Sequence, residues 1–220
     1  MFHLSKLALT NLKEVAFVVG GCNLGGFAIT AVLETHKITD LVGVGSFIAA
    51  VGTLTYRNGL LNNLGSTVSS ALSDKNRVQS ILTLLGNSLQ FRQLLVNFSV
   101  AVWGSRLATY LFSRVLAVGE DKRLNKFFKK PGEFNLDINN SFYPVRLGVF
   151  WTIQSLWGII CLTPVTLLNS IIPADNFNIL NRFKLNNNLL FTGLSVIPLI
   201  GIFTGIFIET IADYQKTSYR

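Results

Sequence analysis

Charged residues, cysteine and histidine are all scarce in this chain of 220 residues. Charged residues make up 14% of the chain, whereas an average soluble domain carries roughly 25%. The two cysteines and two histidines form no CxxC pair and no His/Cys cluster, so the sequence offers no metal site. Phosphate-loop, dinucleotide-loop, HExxH and kinase signatures are missing as well. Established enzyme motifs therefore identify no catalytic residue in this sequence.

Long runs with little or no charge take up most of the chain, in which half of all residues are apolar. A helix of 19 residues rises roughly 28 Å, close to the thickness of a hydrocarbon core. Spanning a bilayer as helices also satisfies every backbone polar group internally. The sequence predicts an all-α, polytopic membrane protein, with one membrane domain over 1–220 and about five transmembrane helices. These predicted spans are 15–33, 41–56, 93–112, 147–172 and 189–208.

Two further features organise the predicted bundle. The short apolar segment 78–89 follows a polar stretch, and we interpret it as an interfacial or re-entrant helix. Two glycine pairs in the first span, Gly20-Gly21 and Gly25-Gly26, predict close helix–helix approach. The short connection 35–40 makes the first two spans antiparallel neighbours.

Basic residues suggest an orientation and a partner. Seven lysines and arginines fall between Arg114 and Arg146, so we expect the loop 114–146 and the C-terminus to face the cytosol. The net charge of +8 sits at membrane edges, without a basic stripe interleaved with aromatic residues. We therefore expect membrane lipids, with their anionic headgroups, as partners, and no nucleic acid.

One predicted span carries a charge. Arg106, Tyr110 and Arg114 follow one another at intervals of four residues, and Trp103 lies three residues before Arg106. This spacing places all four on one helix face. A charge inside a span is costly and usually faces a polar interior or a cavity. The face is therefore either the wall of a ligand cavity or a buried pairing surface that serves assembly alone.

Charges also follow the last span. Glu209 and Asp213 are four residues apart and share a helix face, with Lys216 and Arg220 beyond them. Such a set can hold the hydroxyls and phosphates of a polar cofactor at the membrane boundary. It can equally be a solvated helix end, which spacing alone favours.

Three separated stretches follow one another in the second part of the chain. They are WGSRL at 103–107 with Tyr110, Leu111, Arg114 and GEDKR at 119–123, then FWTIQSLWGIICLTP at 150–164 and ETIADYQK at 209–216. In this order they resemble the steroid 5-alpha reductase-like membrane proteins, in their broad uncharacterised branch. A fourth stretch, HKITDL at 36–41, agrees with the usual start of that family's second span. The resemblance covers about 36–220.

This resemblance implies an enzyme that reduces a carbon–carbon double bond conjugated to a carbonyl in a lipid or steroid. It implies NADPH as cofactor, with Glu209 and Asp213 at the ribose or adenosine end and Arg220 near the phosphates. It also implies a location in the endoplasmic reticulum, with a mitochondrial membrane as the alternative.

The chain departs from the family pattern at its end. The family continues with a tract of the SRHPNYFGE type and further spans, and none of these follows Arg220. We therefore expect half a cofactor site, in a truncated and inactive reductase-like protein or in a fragment of a longer one. The alternative is a non-catalytic structural subunit that packs with other membrane proteins in a larger complex. A weaker alternative is an enzyme similar to the isoprenylcysteine methyltransferases.

Overall fold

The structure is a computed structural model that describes residues 6–61, 65, 69, 89–118, 124–128, 135–136, 142–171 and 187–218. Over these residues it is all helical and contains no strand, which confirms the predicted all-α class. The predicted interfacial helix 78–89 lies, apart from Leu89, outside the described residues. The helices are α1 (Lys6–Leu33), α2 (Thr39–Arg57), α3 (Leu89–Val118), α4 (Val145–Asn169) and α5 (Asn187–Ser218), with a 3-10 turn at Asn125–Phe127.

The chain divides into two compact units. The first comprises Met1–Leu54 and Val100–Ser170, and therefore contains α1, most of α2, the second part of α3 and α4. The second comprises Thr55–Ser99 and Ile171–Arg220, with the first part of α3 and all of α5. In the second unit, Gln93 Nε2 donates to Ile171 O at 3.0 Å, and Asn97 Nδ2 donates to Thr55 Oγ1 at 2.9 Å.

Among the described helices, three are long and apolar enough to cross a membrane: α1, α2 and α4 up to Leu168. These helices contain the predicted spans 15–33 and 41–56 and most of 147–172. The other two predicted spans, 93–112 and 189–208, lie within α3 and α5. That α3 and α5 also cross the membrane stays a prediction.

Helix α1 buries polar side chains beside apolar ones and exposes large apolar residues. Its buried face includes Asn11, Asn23 and Thr30, whereas Phe17 and Val32 are 81% and 80% exposed. Large contiguous apolar surfaces are rare on soluble monomers. In a bilayer, by contrast, small and polar residues mediate helix contacts, and large apolar residues face lipid. The burial pattern is therefore that of a membrane helix.

The core of the first unit lies where α1, α2 and α4 meet. Val15 and Val19 of α1 pack against Phe47 and Leu54 of α2 and against Leu162 of α4. All five side chains are at least 96% buried. The second part of α3 closes this core.

Helices α1 and α4 run antiparallel in close contact. Near one end of the pair, Asn11 Nδ2 donates to Ser170 Oγ at 3.0 Å, and near the other the Tyr143 hydroxyl donates to Ala31 O. Between these ends the ring of Trp151 lies against the backbone of Gly26. A side chain on Gly26 would lie 2.7 Å from Trp151 Cζ3.

The prediction that both glycine pairs mediate packing is only partly right. Of the four glycines, Gly26 alone has atoms of other side chains within 4 Å of the position that a Cβ would occupy. Gly20, Gly21 and Gly25 have open space there. The spacing of the four residues did not show which of them meets a neighbouring helix.

We expect Gly26→Ala to destabilise the protein by about 1–3 kcal/mol, because the added methyl group overpacks the contact with Trp151. Gly25→Ala is the matched control, since its methyl group enters open space. The measurement is thermal unfolding of both variants in the same detergent. Equal unfolding temperatures for Gly26→Ala and Gly25→Ala would contradict the described contact.

Candidate functional site

The predicted face of α3 exists, and its four side chains are all half-buried. Trp103 meets Phe47 edge to face, with 5.8 Å between the ring centroids, and packs against the core of the first unit. Edge-to-face contacts of this kind stabilise packing beyond the area that they bury. Trp103 therefore has a structural role in this bundle.

Arg114 has an ionic partner on α2. Its Nη2 lies 3.7 Å from Asp40 Oδ2, and the two side chains are 18% and 24% exposed. Asp40 stands in the first turn of α2, where a carboxylate also interacts favourably with the helix dipole. This pair connects α3 to α2.

Arg106 lies two helical turns before Arg114, about 12 Å along the axis. Tyr110 stands between them on the same face. The ion pair of Arg114 is close to the start of α2, so Arg106 lies deeper in the bundle than that pair. Both predicted roles of Arg106, cavity wall and assembly, stay predictions.

A set of polar residues that sequence reasoning did not single out lies at one level of the first unit. A side chain on Gly43 of α2 would collide with the amide of Gln154 on α4, whose Cδ would be 2.9 Å away. Near Gly43 on α2, Ser46 is 1% exposed and its hydroxyl donates to Gly43 O at 2.7 Å. Gln154 therefore places an amide against the backbone of α2 inside the bundle.

Asn23 of α1 lies at the same height along the bundle as Gln154, because residues on either side of it along α1 contact α4. Val19 lies against Gly158, and Gly26 lies against Trp151. Asn23 stands between Val19 and Gly26 on the buried face of α1. On antiparallel α4 the residues midway between Trp151 and Gly158 are Gln154 and Ser155.

We name Asn23, Gly43, Ser46 and Gln154 the polar level. In the sequence these positions are marked only by an amide side chain inside a span that has no charged residue. A polar side chain in such a place is costly in lipid and commonly functional. The polar level can donate and accept hydrogen bonds within an apolar bundle, and so can hold a polar group of a lipid ligand.

Aromatic residues gather at the end of the first unit where α4 begins. Tyr143 is 3% exposed, its ring centroid lies 6.2 Å from that of Phe128, and Phe128 meets His36 at 6.0 Å. Burial, and secondly the negative charge of Glu34, raise the pKa of Tyr143. The hydroxyl of Tyr143 is thus held as a neutral donor to Ala31 O.

Two of the residues predicted to hold NADPH, Glu209 and Asp213, lie on α5. Glu209 and Asp213 are half-buried, although Ile211 and Tyr214 beside them are 42% and 75% exposed. Two carboxylates one turn apart fit the hydroxyls of a ribose.

A pyrophosphate needs cations or a nest of backbone N–H groups. On α5 the one basic residue is exposed Lys216, and Arg220 lies outside the described residues. The described residues therefore fit the sugar end of the cofactor alone.

Within the described part of the chain, no group of three His, Cys, Asp or Glu residues is arranged to hold a metal ion. Cys22 is half-buried and Cys161 is exposed, and both are free thiols.

The comparisons with known proteins point to one family. The model of a family described as "Protein of unknown function (DUF1295)" matches residues 63–220. The match includes α3, α4 and α5, and leaves out α1 and α2. No curated protein and no solved structure matches the chain.

Because the pKa of Tyr143 is raised, we expect its phenol to deprotonate above the usual pH range of tyrosine. The neutral phenol is the form that folding favours, so its contribution to stability is complete below the ordinary pKa of about 10. That contribution is lost as pH rises through the higher pKa of the folded protein.

The measurement is ultraviolet titration of phenolate absorbance in the folded protein. Tyr143→Phe should remove a phenol that titrates above the usual range and weaken the alkaline loss of stability. Tyr56→Phe, at a site 87% exposed, is the control for the loss of one phenol and should leave this high-pH phase in place. A high-pH phase that persists unchanged in Tyr143→Phe would contradict the described burial.

Proposed function

This chain belongs to the DUF1295 family of proteins of unknown function, and from that premise we propose an integral membrane protein of the steroid 5-alpha reductase-like type. Its proposed activity is the NADPH-dependent reduction of a conjugated carbon–carbon double bond in a lipid. The matched region contains the three motif stretches on which the resemblance depends, 103–123, 150–164 and 209–216. The proposed location is the endoplasmic reticulum, with the loop 114–146 and the C-terminus on the cytosolic side.

The burial of Glu209 and Asp213 is the observation that carries the proposal. A solvated helix end would expose its carboxylates and shelter its apolar residues. In α5 the order is reversed, because both carboxylates are half-buried while Ile211 and Tyr214 are more exposed. Half-buried carboxylates one turn apart favour the ligand-binding interpretation over the solvated helix end, which spacing alone had favoured.

The proposed chemistry involves residues at two places, one for the cofactor and one for the lipid carbonyl. Glu209 and Asp213 accept hydrogen bonds from ribose hydroxyls, and Arg220 offers a cation for phosphate. Arg106 offers charged N–H donors to a lipid carbonyl inside the bundle, where such bonds are strong. The chemistry that NADPH supplies when bound is a hydride for the double bond. The acid that completes the reduction is not assigned to a residue.

A second candidate function is a structural subunit without catalysis. It is favoured by the contacts of Trp103 with Phe47 and of Arg114 with Asp40, which join α3 to α2. If Arg106 pairs in the same way, the whole face of α3 serves assembly. The two experiments below separate these functions.

The first experiment measures NADPH binding through the cofactor's own fluorescence, with the protein reconstituted in phospholipid nanodiscs. We expect Glu209→Gln combined with Asp213→Asn to weaken binding by at least about tenfold, because hydrogen bonds to charged acceptors contribute about 1.5–3 kcal/mol each. Tyr214→Phe, on the same helix and 75% exposed, is the matched control and should bind normally.

Folded wild-type protein that shows no saturable NADPH binding would overturn the reductase proposal and favour the structural subunit. Saturable binding of S-adenosylmethionine in place of NADPH would point to methyl transfer.

The second experiment tests Arg106 by following NADPH oxidation at 340 nm with a 3-oxo-4-ene steroid or a long-chain enal. If Arg106 faces the ligand, Arg106→Leu should abolish turnover while the unfolding temperature and NADPH binding stay unchanged. Thr109→Val, an exposed position on the same helix, is the control. A lowered unfolding temperature with poor expression would instead mark Arg106 as an assembly residue, since breaking a buried pair costs about 3–5 kcal/mol.

A further inference from the structure

An apolar groove lies on the first unit between α1 and α4. Its volume is about 450 Å³, within the range of small-molecule sites. Gly148 gives the groove its depth, because the ring of Phe27 forms a wall 3.6 Å from where a Cβ on this glycine would lie. Apart from these two residues, the groove is lined by the start of α4: Pro144, Val145, Val149, Thr152 and Ile153.

In a bilayer the groove would run inward from one surface. Helix α4 is apolar enough to cross a membrane from Val145 onward, and the groove follows it as far as Ile153. A helix rises about 12 Å over this distance, slightly less than one leaflet's share, about 15 Å, of the hydrocarbon core. Val149 and Ile153 are 53% and 62% exposed, so lipid can reach the groove along its length. The groove therefore fits the chain of a lipid from one leaflet.

A cation stands at the outer end of the groove. Arg146 directly follows the lining residue Val145, and it is exposed. Seven residues make nearly two full turns of a helix, so Arg146 and the lining residue Ile153 lie on the same side of α4. Arg146 therefore borders the groove at the level where α4 enters the membrane.

Aromatic rings place a second cation on the same side of α4. Nζ of Lys126 lies 5.0 Å from the ring centroid of Phe127, which is a cation–π contact. The ring of Phe127 packs against that of Phe150, with 5.1 Å between the centroids. Phe150 follows Arg146 by one helical turn and shares its face of α4. The 3-10 turn thus brings Lys126 to the side of α4 that bears Arg146.

This end of the first unit is positively charged. Asp40, one of its two described carboxylates, pairs with Arg114. Among the described residues there, exposed cations outnumber exposed carboxylates three to one: Lys37, Lys126 and Arg146 against Glu34. Basic residues at a membrane surface attract anionic headgroups. The apolar groove and the cations at its outer end therefore match the two parts of an anionic lipid.

We propose that the groove binds an anionic phospholipid of the adjoining leaflet, with one acyl chain along Phe27 and α4 and its phosphate between Arg146 and Lys126. The guanidinium can hold a phosphate through two parallel hydrogen bonds, and the ammonium adds a point charge. A zwitterionic phospholipid carries a cation on its own headgroup, which both side chains repel. The site is independent of the proposed reductase activity, because a structural subunit without NADPH would keep it.

The experiment uses the whole protein in phosphatidylcholine bilayers that contain a trace of a photoreactive lipid. The probe is either phosphatidylglycerol or phosphatidylcholine, with the same diazirine-bearing acyl chain, and labelled peptides are identified by mass spectrometry. We expect the phosphatidylglycerol probe to label α4 over 145–153 and α1 around Phe27 at least about fivefold more strongly. That ratio corresponds to about 1 kcal/mol, the attraction of one basic residue to an anionic membrane surface.

Paired variants test the two cations. Lys126→Gln combined with Arg146→Gln should abolish the preference for phosphatidylglycerol, because the amides keep the approximate size of the side chains and lose their charge. Lys6→Gln combined with Lys13→Gln is the matched control. It also removes two exposed cations, at the start of α1, and should keep the preference.

A further pair of variants tests the apolar part of the site. Gly148→Leu fills the groove beside Phe27 and should remove labelling around that residue. Gly52→Leu, whose side chain enters open space on α2, should not. Unfolding temperatures show which variants are folded.

Equal labelling by the two probes in the wild type would overturn the proposal. A preference that survives the loss of Lys126 and Arg146 would do the same, as would one that is lost equally without Lys6 and Lys13, since it would then reflect net charge alone. Labelling around Phe27 that persists in folded Gly148→Leu would exclude the acyl chain from the groove. NADPH binding, measured on the same preparations, reports separately on the reductase proposal.

Discussion

The first unit depends on the contact between Trp151 and the backbone of Gly26. The Thr30 hydroxyl donates to Gly26 O at 2.7 Å and accepts from Trp151 Nε1 at 3.1 Å, so the indole N–H is satisfied inside an apolar bundle. An unsatisfied N–H in that environment costs several kcal/mol. The contact therefore fixes how far α4 slides along α1, because any shift breaks the hydrogen bond and brings the ring against a larger side chain. The shared level of Asn23 on α1 and Gln154 on α4 follows from that register, as does the hydrogen bond of Tyr143 to Ala31 O.

Lipid as solvent accounts for the polar side chains that lie among the apolar ones inside this bundle. Lipid tails are as apolar as leucine, so burying apolar side chains drives helix association weakly, and close packing and hydrogen bonds take over. Most serine and threonine hydroxyls in the described helices donate to a carbonyl of their own helix, as Thr166 does to Leu162 O at 2.8 Å. Such residues can be buried at small cost. Amides have more groups to satisfy, and in Asn23 the helix satisfies the nitrogen and leaves the oxygen.

Sequence alone predicted the elements better than their contacts. Uncharged runs near membrane length predicted the all-helical class, because the bilayer requires that length and the requirement is visible in composition. The spacing of Trp103 and Arg114 correctly predicted one helix face, since 3.6 residues per turn is a local property. Their partners Phe47 and Asp40 depend on how far α3 slides along α2, which no local pattern encodes. Likewise Gly25 and Gly26 are indistinguishable in the sequence, and only the approach of Trp151 separates them.

Arg106 raises a problem that the other polar residues of the bundle do not. A guanidinium has five N–H donors and no acceptor. The carbonyls of its own helix already accept backbone hydrogen bonds. Such a carbonyl can accept a further hydrogen bond from a hydroxyl, as Ser105 O does from Thr109 Oγ1, but it cannot balance a charge. Two neighbours on the same helix face make contacts of their own: Trp103 packs against Phe47, and Arg114 pairs with Asp40. A residue of this kind is costly to retain in a span for packing alone, because an apolar side chain of similar size would pack without the desolvation cost.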